Sequence, residues 1–109
     1  MAASPLPDNL EVRKDGARGV FELLVDGTHA GLITFRDNHG VRAMPHTEVD
    51  AAFEGRGLSR PLIRAALDQT RAEGLGVLPM CPAISRYVQK NPEYQDLVPE
   101  GQRPAFGLG

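Results

Sequence analysis

Val49-Asp50-Ala51-Ala52-Phe53-Glu54-Gly55-Arg56-Gly57-Leu58-Ser59-Arg60-Pro61-Leu62-Ile63-Arg64-Ala65-Ala66-Leu67 is the stretch on which the fold turns. An extended segment ends near Asp50 or Ala51, a glycine-bearing loop follows, and a helical pattern begins at once. Leu58, Leu62, Ile63, Ala66, Leu67 and Thr70 recur at helical spacing, while Arg60, Arg64, Asp68 and Arg71 take the opposite face as a solvated stripe with spaced ion pairs. Pro61 is tolerated only in a first turn, where its missing N–H has no partner to lose, so the helix starts near Gly57 to Ser59. Gly74 is its natural stop.

Upstream of the loop the pattern is strand-like. Leu10, Val12 and Lys14 begin a short alternating piece, and Val20 to Val25 is a stronger strand. Asp26-Gly27 suits a tight hairpin turn, and Ala30 to Phe35 is the returning strand. Asp37-Asn38-His39-Gly40 is a second turn by composition. Val41 to Asp50 is a further strand in which Pro45 marks a bulge or an edge. Downstream, Leu75 to Met80 is a short apolar strand. Pro82 opens a second helix with Ile84, Tyr87 and Val88 on one side, and Asn91-Pro92 ends it. A helix joining two strands of one sheet favours parallel pairing by a right-handed crossover. The expected fold is mixed α/β, an antiparallel meander followed by β-α-β-α.

The bulk numbers agree with one domain spanning 1–109. The chain has 109 residues, 41% hydrophobic and 24% charged, with a formal net charge of -2. The core is expected at about 10–98. Residues 1 to 8, with Pro5 and Pro7, form a loose leader, and residues 99 to 109 an irregular surface tail. The charge balance argues against nucleic acid, and no apolar run reaches the length of a membrane span. The N-terminus has neither the basic start nor the apolar stretch of a signal peptide. A single cysteine, Cys81, rules out an internal disulfide and a cysteine-rich zinc site, so no metal is expected and a reducing cytoplasm is the simplest compartment.

The loop carries the chemical signal. Free N–H groups at a helix start carry partial positive charge and suit phosphate oxygens. Gly55 and Gly57 allow positive φ or close approach, and Arg56 and Arg60 can add charge. GxxxxGK[ST] and GxGxxG are both absent, which argues against a P-loop and a dinucleotide fingerprint. By loop chemistry alone, an anion site and a plain turn entering a helix both stand.

Four motifs in order resolve this into a resemblance. Glu54-Gly55-Arg56-Gly57-Leu58-Ser59 resembles the coenzyme A pyrophosphate loop, Gln/Arg-x-x-Gly-x-Gly/Ala, of the GNAT acetyltransferase superfamily. With His46-Thr47-Glu48-Val49, Pro79-Met80-Cys81-Pro82 and Asn91-Pro92-Glu93-Tyr94 followed by Asp96-Leu97-Val98, it is similar to a small single-domain GNAT-like family. The resemblance covers about residues 10 to 98. It implies acetyl transfer from acetyl-coenzyme A to an unknown amine, small molecule or protein, by a monomer or weak dimer, with the pantetheine arm entering a splay between the fourth and fifth strands. The alternative is a non-catalytic coenzyme A-binding or interaction domain of the same fold. Under this resemblance Val49, Glu54, Gly55, Arg56, Gly57, Leu58, Ser59 and Arg60 would line the coenzyme, with Lys90 and Asn91 toward its adenosine end.

Departures from the superfamily pattern are Glu54 where Gln or Arg is usual, and Ser59 where Gly or Ala is usual. Ser59 could cap the helix; Glu54 must point away or pair with Arg56. A tyrosine that protonates the leaving thiolate in many members has no counterpart here: Tyr87 falls one residue early and Val88 takes its place.

Three residues could carry chemistry. His46 and Glu48 project from one strand face, either as a base and its orienting carboxylate or as a surface polar pair. Cys81 precedes a helix, as a thiolate stabilised by the helix start or as a buried apolar residue. The resemblance brings forward the first reading of each. Tyr87, Tyr94 and Leu97 are expected to pack inside, and His29 and His39 to be solvated.

Overall fold

The computed structural model describes residues 9 to 108; the expected leader lies outside them. Five strands are laid down in sequence order as one sheet: β1 (Leu10–Asp15), β2 (Val20–Val25), β3 (Thr28–Asn38), β4 (Val41–Val49) and β5 (Gly76–Leu78). The first three pairings are antiparallel, and β4 pairs β5 in parallel across α1 (Ser59–Ala72). This is the expected meander followed by a crossover. Helix α2 (Pro82–Lys90) follows β5.

The β2–β3 and β3–β4 hairpins each close through two left-handed residues, Asp26 (φ 53°) with Gly27 (φ 79°) and His39 (φ 52°) with Gly40 (φ 80°). This turn matches the strand twist and needs positive φ at both central positions, which Asp-Gly and His-Gly supply. The second turn is tighter than the four-residue stretch expected, because β3 runs on through Asn38.

One irregularity sets which side chains face where. Thr34 pairs His46 but Arg36 pairs Ala43, so Met44 and Pro45 together face Phe35 alone. That is a β-bulge on β4 at the proline, whose absent N–H makes regular pairing costly. Because strand side chains alternate, the extra residue switches faces beyond it. Arg42, Met44 and Thr47 look toward the helices, and His46 and Glu48 look the other way.

The helices bury one face of the sheet. Phe21, Leu23, Ile33, Met44 and Val77 meet Leu62, Ile63, Ala66 and Leu67 of α1 and Ile84 and Val88 of α2. The 3.6-residue period of the apolar positions is what lets one stripe of α1 do this, each large side chain contributing about 2 kcal/mol. Arg42 also lies on this face, with no exposed surface. Its guanidinium stacks over Phe35 at 4.6 Å and donates to Asp37 Oδ1 (2.7 Å) and Oδ2 (2.8 Å), Glu73 Oε1 (2.7 Å) and Thr70 Oγ1 (3.1 Å). A buried charge is tolerated only with its donors satisfied in this way. It fastens the end of α1 to β3 and β4.

The end of the chain departs from expectation. Glu100–Phe106 is a 3-10 helix where an irregular tail is expected, and Pro92–Leu97, inside the expected core, is another. Tyr94, Leu97 and Val98 are buried, and Gln89 Nε2 of α2 donates to Phe106 O at 2.9 Å. These contacts hold the segment on the domain. A short 3-10 helix was also missed at Ala51–Phe53, directly after β4.

Candidate functional site

Gly55 (φ 84°) and Gly57 (φ 69°) shape the loop before α1. A Cβ at either would meet nothing within 4 Å, so their requirement is backbone hand, not room. Leu58 holds the N-cap position and Ser59 is the first helical residue, so Ser59 does not cap; among the described residues no side chain caps the start of this helix. The reason is packing. Leu58 is 4% exposed and drives its side chain into the core, which brings an apolar residue to the place a hydroxyl would need. The Arg60 amide is spent on Gly57 O at 3.4 Å, and Pro61 has none, so Arg60 can offer only its guanidinium.

Beside this loop a cleft of about 780 Å³ opens between α1 and α2. Of the expected coenzyme residues it gathers Arg56, Gly57, Ser59, Arg60, Lys90 and Asn91. Glu54, Gly55, Leu58 and Val49 are not in its wall. Glu54 forms no ion pair with Arg56; the Arg56 guanidinium lies over the Phe53 ring at 5.3 Å instead. Val49 ends β4 on the other side of the loop.

Three cleft residues that matter are not among those the sequence assigns to the coenzyme. Arg64 and Arg86 add to Arg56, Arg60 and Lys90, making five cations on one cleft with no carboxylate in its wall. None of the five has an acidic partner within 4 Å among the described residues, whereas Arg71 on the same helix pairs with Asp96 at 2.9 Å. The stripe is exposed as expected, and its members divide by partner: Arg60 and Arg64 face the cleft, Arg71 crosses to the segment after α2, and Asp68 accepts from Tyr94 Oη at 2.7 Å. The third residue is Tyr87, expected inside but half-buried on the cleft, with its phenol pKa raised mainly by burial. The legible signal was four-residue spacing: Arg60 with Arg64, and Arg86 with Lys90, place like charges on one line of each helix.

At the far end of the sheet β4 and β5 part. Only Val41, Arg42 and Ala43 pair with β5, and Cys81 then donates its N–H to Met44 O at 3.0 Å. Beyond that point β4 has no neighbour on this side among the described residues. Asp50 donates its N–H to Ala30 O at 2.7 Å. By alternation the main-chain groups of His46 and Glu48 are turned to β3, while those of Thr47 and Val49 face the gap.

His46 and Glu48 come together, Nε2 to Oε2 at 3.1 Å, and more than half of each side chain is exposed. With the proton on Nε2 the Nδ1 lone pair is free. Cys81 does not join them. It neighbours Thr47, which points to the opposite face of β4 from His46. Burial pushes the Cys81 thiol pKa up, but the Thr47 hydroxyl and the amides of Ile84, Ala83 and Thr47 outweigh it and hold the thiol below its ordinary value. Thr47 Oγ1 is buried and lacks a partner of good geometry, leaving it available to the sulfur. The three candidate residues thus flank the gap from two sides.

His29, expected solvated, is part-buried and bonded through Nδ1 to Glu22 Oε2 at 2.7 Å. Among the described residues no group of three or more His, Cys, Asp or Glu is placed to hold a metal ion, and no helix is long and apolar enough to cross a membrane.

Comparison with known proteins bears on the whole arrangement. Residues 20–97 match the family model described as GCN5-related N-acetyl-transferase. Protein NATD1 of Mus musculus is 34% identical over 85 residues, covering 76% of this chain and 77% of its own length. Protein NATD1 of Danio rerio is 31% identical over 90 residues, covering 81% and 82%. In three dimensions the chain is similar to the NMR solution structure of a GCN5-like protein from Staphylococcus aureus, with TM-score 0.64 and 22% identity over 84% of this chain and 90% of that one.

Proposed function

The chain belongs to the GCN5-related N-acetyltransferase family, and on that premise we propose that it transfers the acetyl group of acetyl-coenzyme A to an amine. One observation carries the reading: in a chain of net charge -2, five cations without acidic partners among the described residues line a single cleft beside an uncapped helix start. Unpaired guanidinium groups held together repel one another, so such a cleft suits a polyanion. A diphosphate with a further phosphate on an adenosine fits it in charge and size. The co-substrate supplies an activated thioester and leaves as a thiolate.

In this reading Arg56, Arg60 and the loop amides hold the diphosphate, and Lys90 and Asn91 meet the adenosine end. Tyr87 packs against the bound molecule from the cleft wall. The main-chain groups of Val49 and the carbonyl of Thr47, whose amide is turned to Cys81, orient the arm in the gap between β4 and β5. His46 takes the amine proton on Nδ1, directly or through a water, while Glu48 keeps Nε2 protonated. Cys81, with its lowered pKa, returns a proton to the departing thiolate from the helix side. Removing the amine proton on one face and supplying the thiolate proton on the other keeps the two groups from neutralising each other. A reducing compartment, the cytoplasm in the simplest case, is part of the proposal because Cys81 must stay a thiol.

A second reading, coenzyme A binding without transfer, is favoured by Val88. It stands where a phenol is expected from the family pattern and is 1% exposed in the core. Calorimetry with coenzyme A, followed by release of free thiol from acetyl-coenzyme A with a panel of amines, separates the two. Binding with thiol release supports the enzyme, and binding alone supports the second reading. If coenzyme A does not bind, the cleft assignment fails.

A further inference from the structure

We propose that β1 is the dimer interface of this protein, two copies joining edge to edge by antiparallel β1–β1 pairing into a continuous sheet. Among the described residues β1 pairs only with β2. Asn9 O accepts the Asp26 N–H at 3.3 Å, so by alternation Glu11, Arg13 and Asp15 turn their main-chain groups to β2. Those of Leu10, Val12 and Lys14 face outward, with no hydrogen-bond partner among the described residues. An open edge of this kind is a template for another strand.

The side chains select the partner. A two-fold axis normal to the sheet keeps each face on its own side, so only registers pairing odd with odd and even with even residues are allowed. Setting Val12 opposite Val12 of the second copy places Glu11 against Arg13 twice and Leu10 against the Lys14 stem. The outward groups of Leu10, Val12 and Lys14 then form hydrogen-bonded pairs. Shifting by one allowed step sets Arg13 against Arg13 and Glu11 against Asp15, and shifting the other way sets Glu11 against Glu11. Like charges directly opposite are destabilising. One register alone joins opposite charges along a long overlap, so the strand is complementary to a second copy of itself.

A groove of about 340 Å³ runs behind β1, where Leu10 and Val12 meet Pro61 and Ala65 of α1, with Arg64 and Asp68 at its rim. It lies on the face toward which the second copy's Leu10 and Lys14 stem would project. Glu11 and Arg13 now bond only each other, at 2.7 Å, with 50% and 64% of their side chains exposed, and are free to exchange partners.

The interface does not depend on acetyl transfer and is tested without any ligand, by sedimentation velocity on the full chain. The wild-type chain is expected to pass from monomer to dimer with concentration. Glu11→Arg and Arg13→Glu, each placing like charges opposite, should raise the dissociation constant about tenfold or more. An equimolar mixture of the two variants should restore the dimer as a heterodimer, which also shows that both fold. A wild-type chain monomeric at its highest soluble concentration, single variants that dimerise as well as wild type, or a mixture that fails to recover would each overturn the proposal.

Discussion

Glu73→Gln is the perturbation whose size the structure sets most directly. Glu73 accepts from Gln69 Nε2 (2.7 Å), Arg42 Nη2 (2.7 Å) and Lys14 Nζ (2.9 Å). These donors hold its carboxyl down at about 2 from the usual 4.5, Gln69 first, then Arg42 and Lys14. That displacement corresponds to about 3.4 kcal/mol of preference for the charged form. The side chain is 26% exposed, so water screens the interaction to about half of that, about 1.7 kcal/mol. Because the folded value lies below the unfolded one, this stability is fully present above pH 4.5 and is lost as the pH falls toward 2. Glutamine keeps an acceptor for Arg42 but not the charge. The variant should therefore melt about 6–9 °C below wild type at pH 7, with the gap narrowing steadily below pH 4.5. Thermal unfolding of both proteins between pH 7 and pH 3 measures it, and comparing the two removes the contribution of every other carboxylate. A gap that stays constant across that range, or no gap at pH 7, would refute the role given to the Arg42 cluster.

Three further outcomes are expected. Arg86→Ala with Lys90→Ala should weaken coenzyme A about tenfold or more in calorimetry while leaving the melting temperature within about 2 °C, since neither side chain has a hydrogen-bond or ion-pair partner among the described residues. Gly57→Val should weaken coenzyme A and cost about 1–2 kcal/mol of stability, because a β-branched residue is strained at φ 69° although nothing would touch its Cβ; urea unfolding and calorimetry together separate the two effects. His46→Ala should lower the rate of thiol release about 100-fold with coenzyme A affinity unchanged, and loss of affinity instead would place His46 in binding, not proton transfer.

The order of the strands and of α1 and α2, and the main anion signal, are legible in consecutive residues. Two-residue alternation before Asp50 and 3.6-residue periodicity after Leu58 are local properties, and a glycine-bearing loop between them is written in consecutive residues. The hairpin turns, the place of Pro61 and the stop at Gly74 follow from backbone constraints that act within four or five residues. Whatever depends on residues far apart in the chain came from the folded packing. It set Arg86 and Lys90 of α2 against Arg60 and Arg64 of α1, since the facing of two helices comes from how their apolar stripes share one sheet. It spent Leu58 on the core, which denied the helix its cap. It also separated His46 from Cys81: the bulge at Met44 and Pro45 inverts the facing of the rest of β4, and a strand's alternation says which residues share a face but not which face meets the helices.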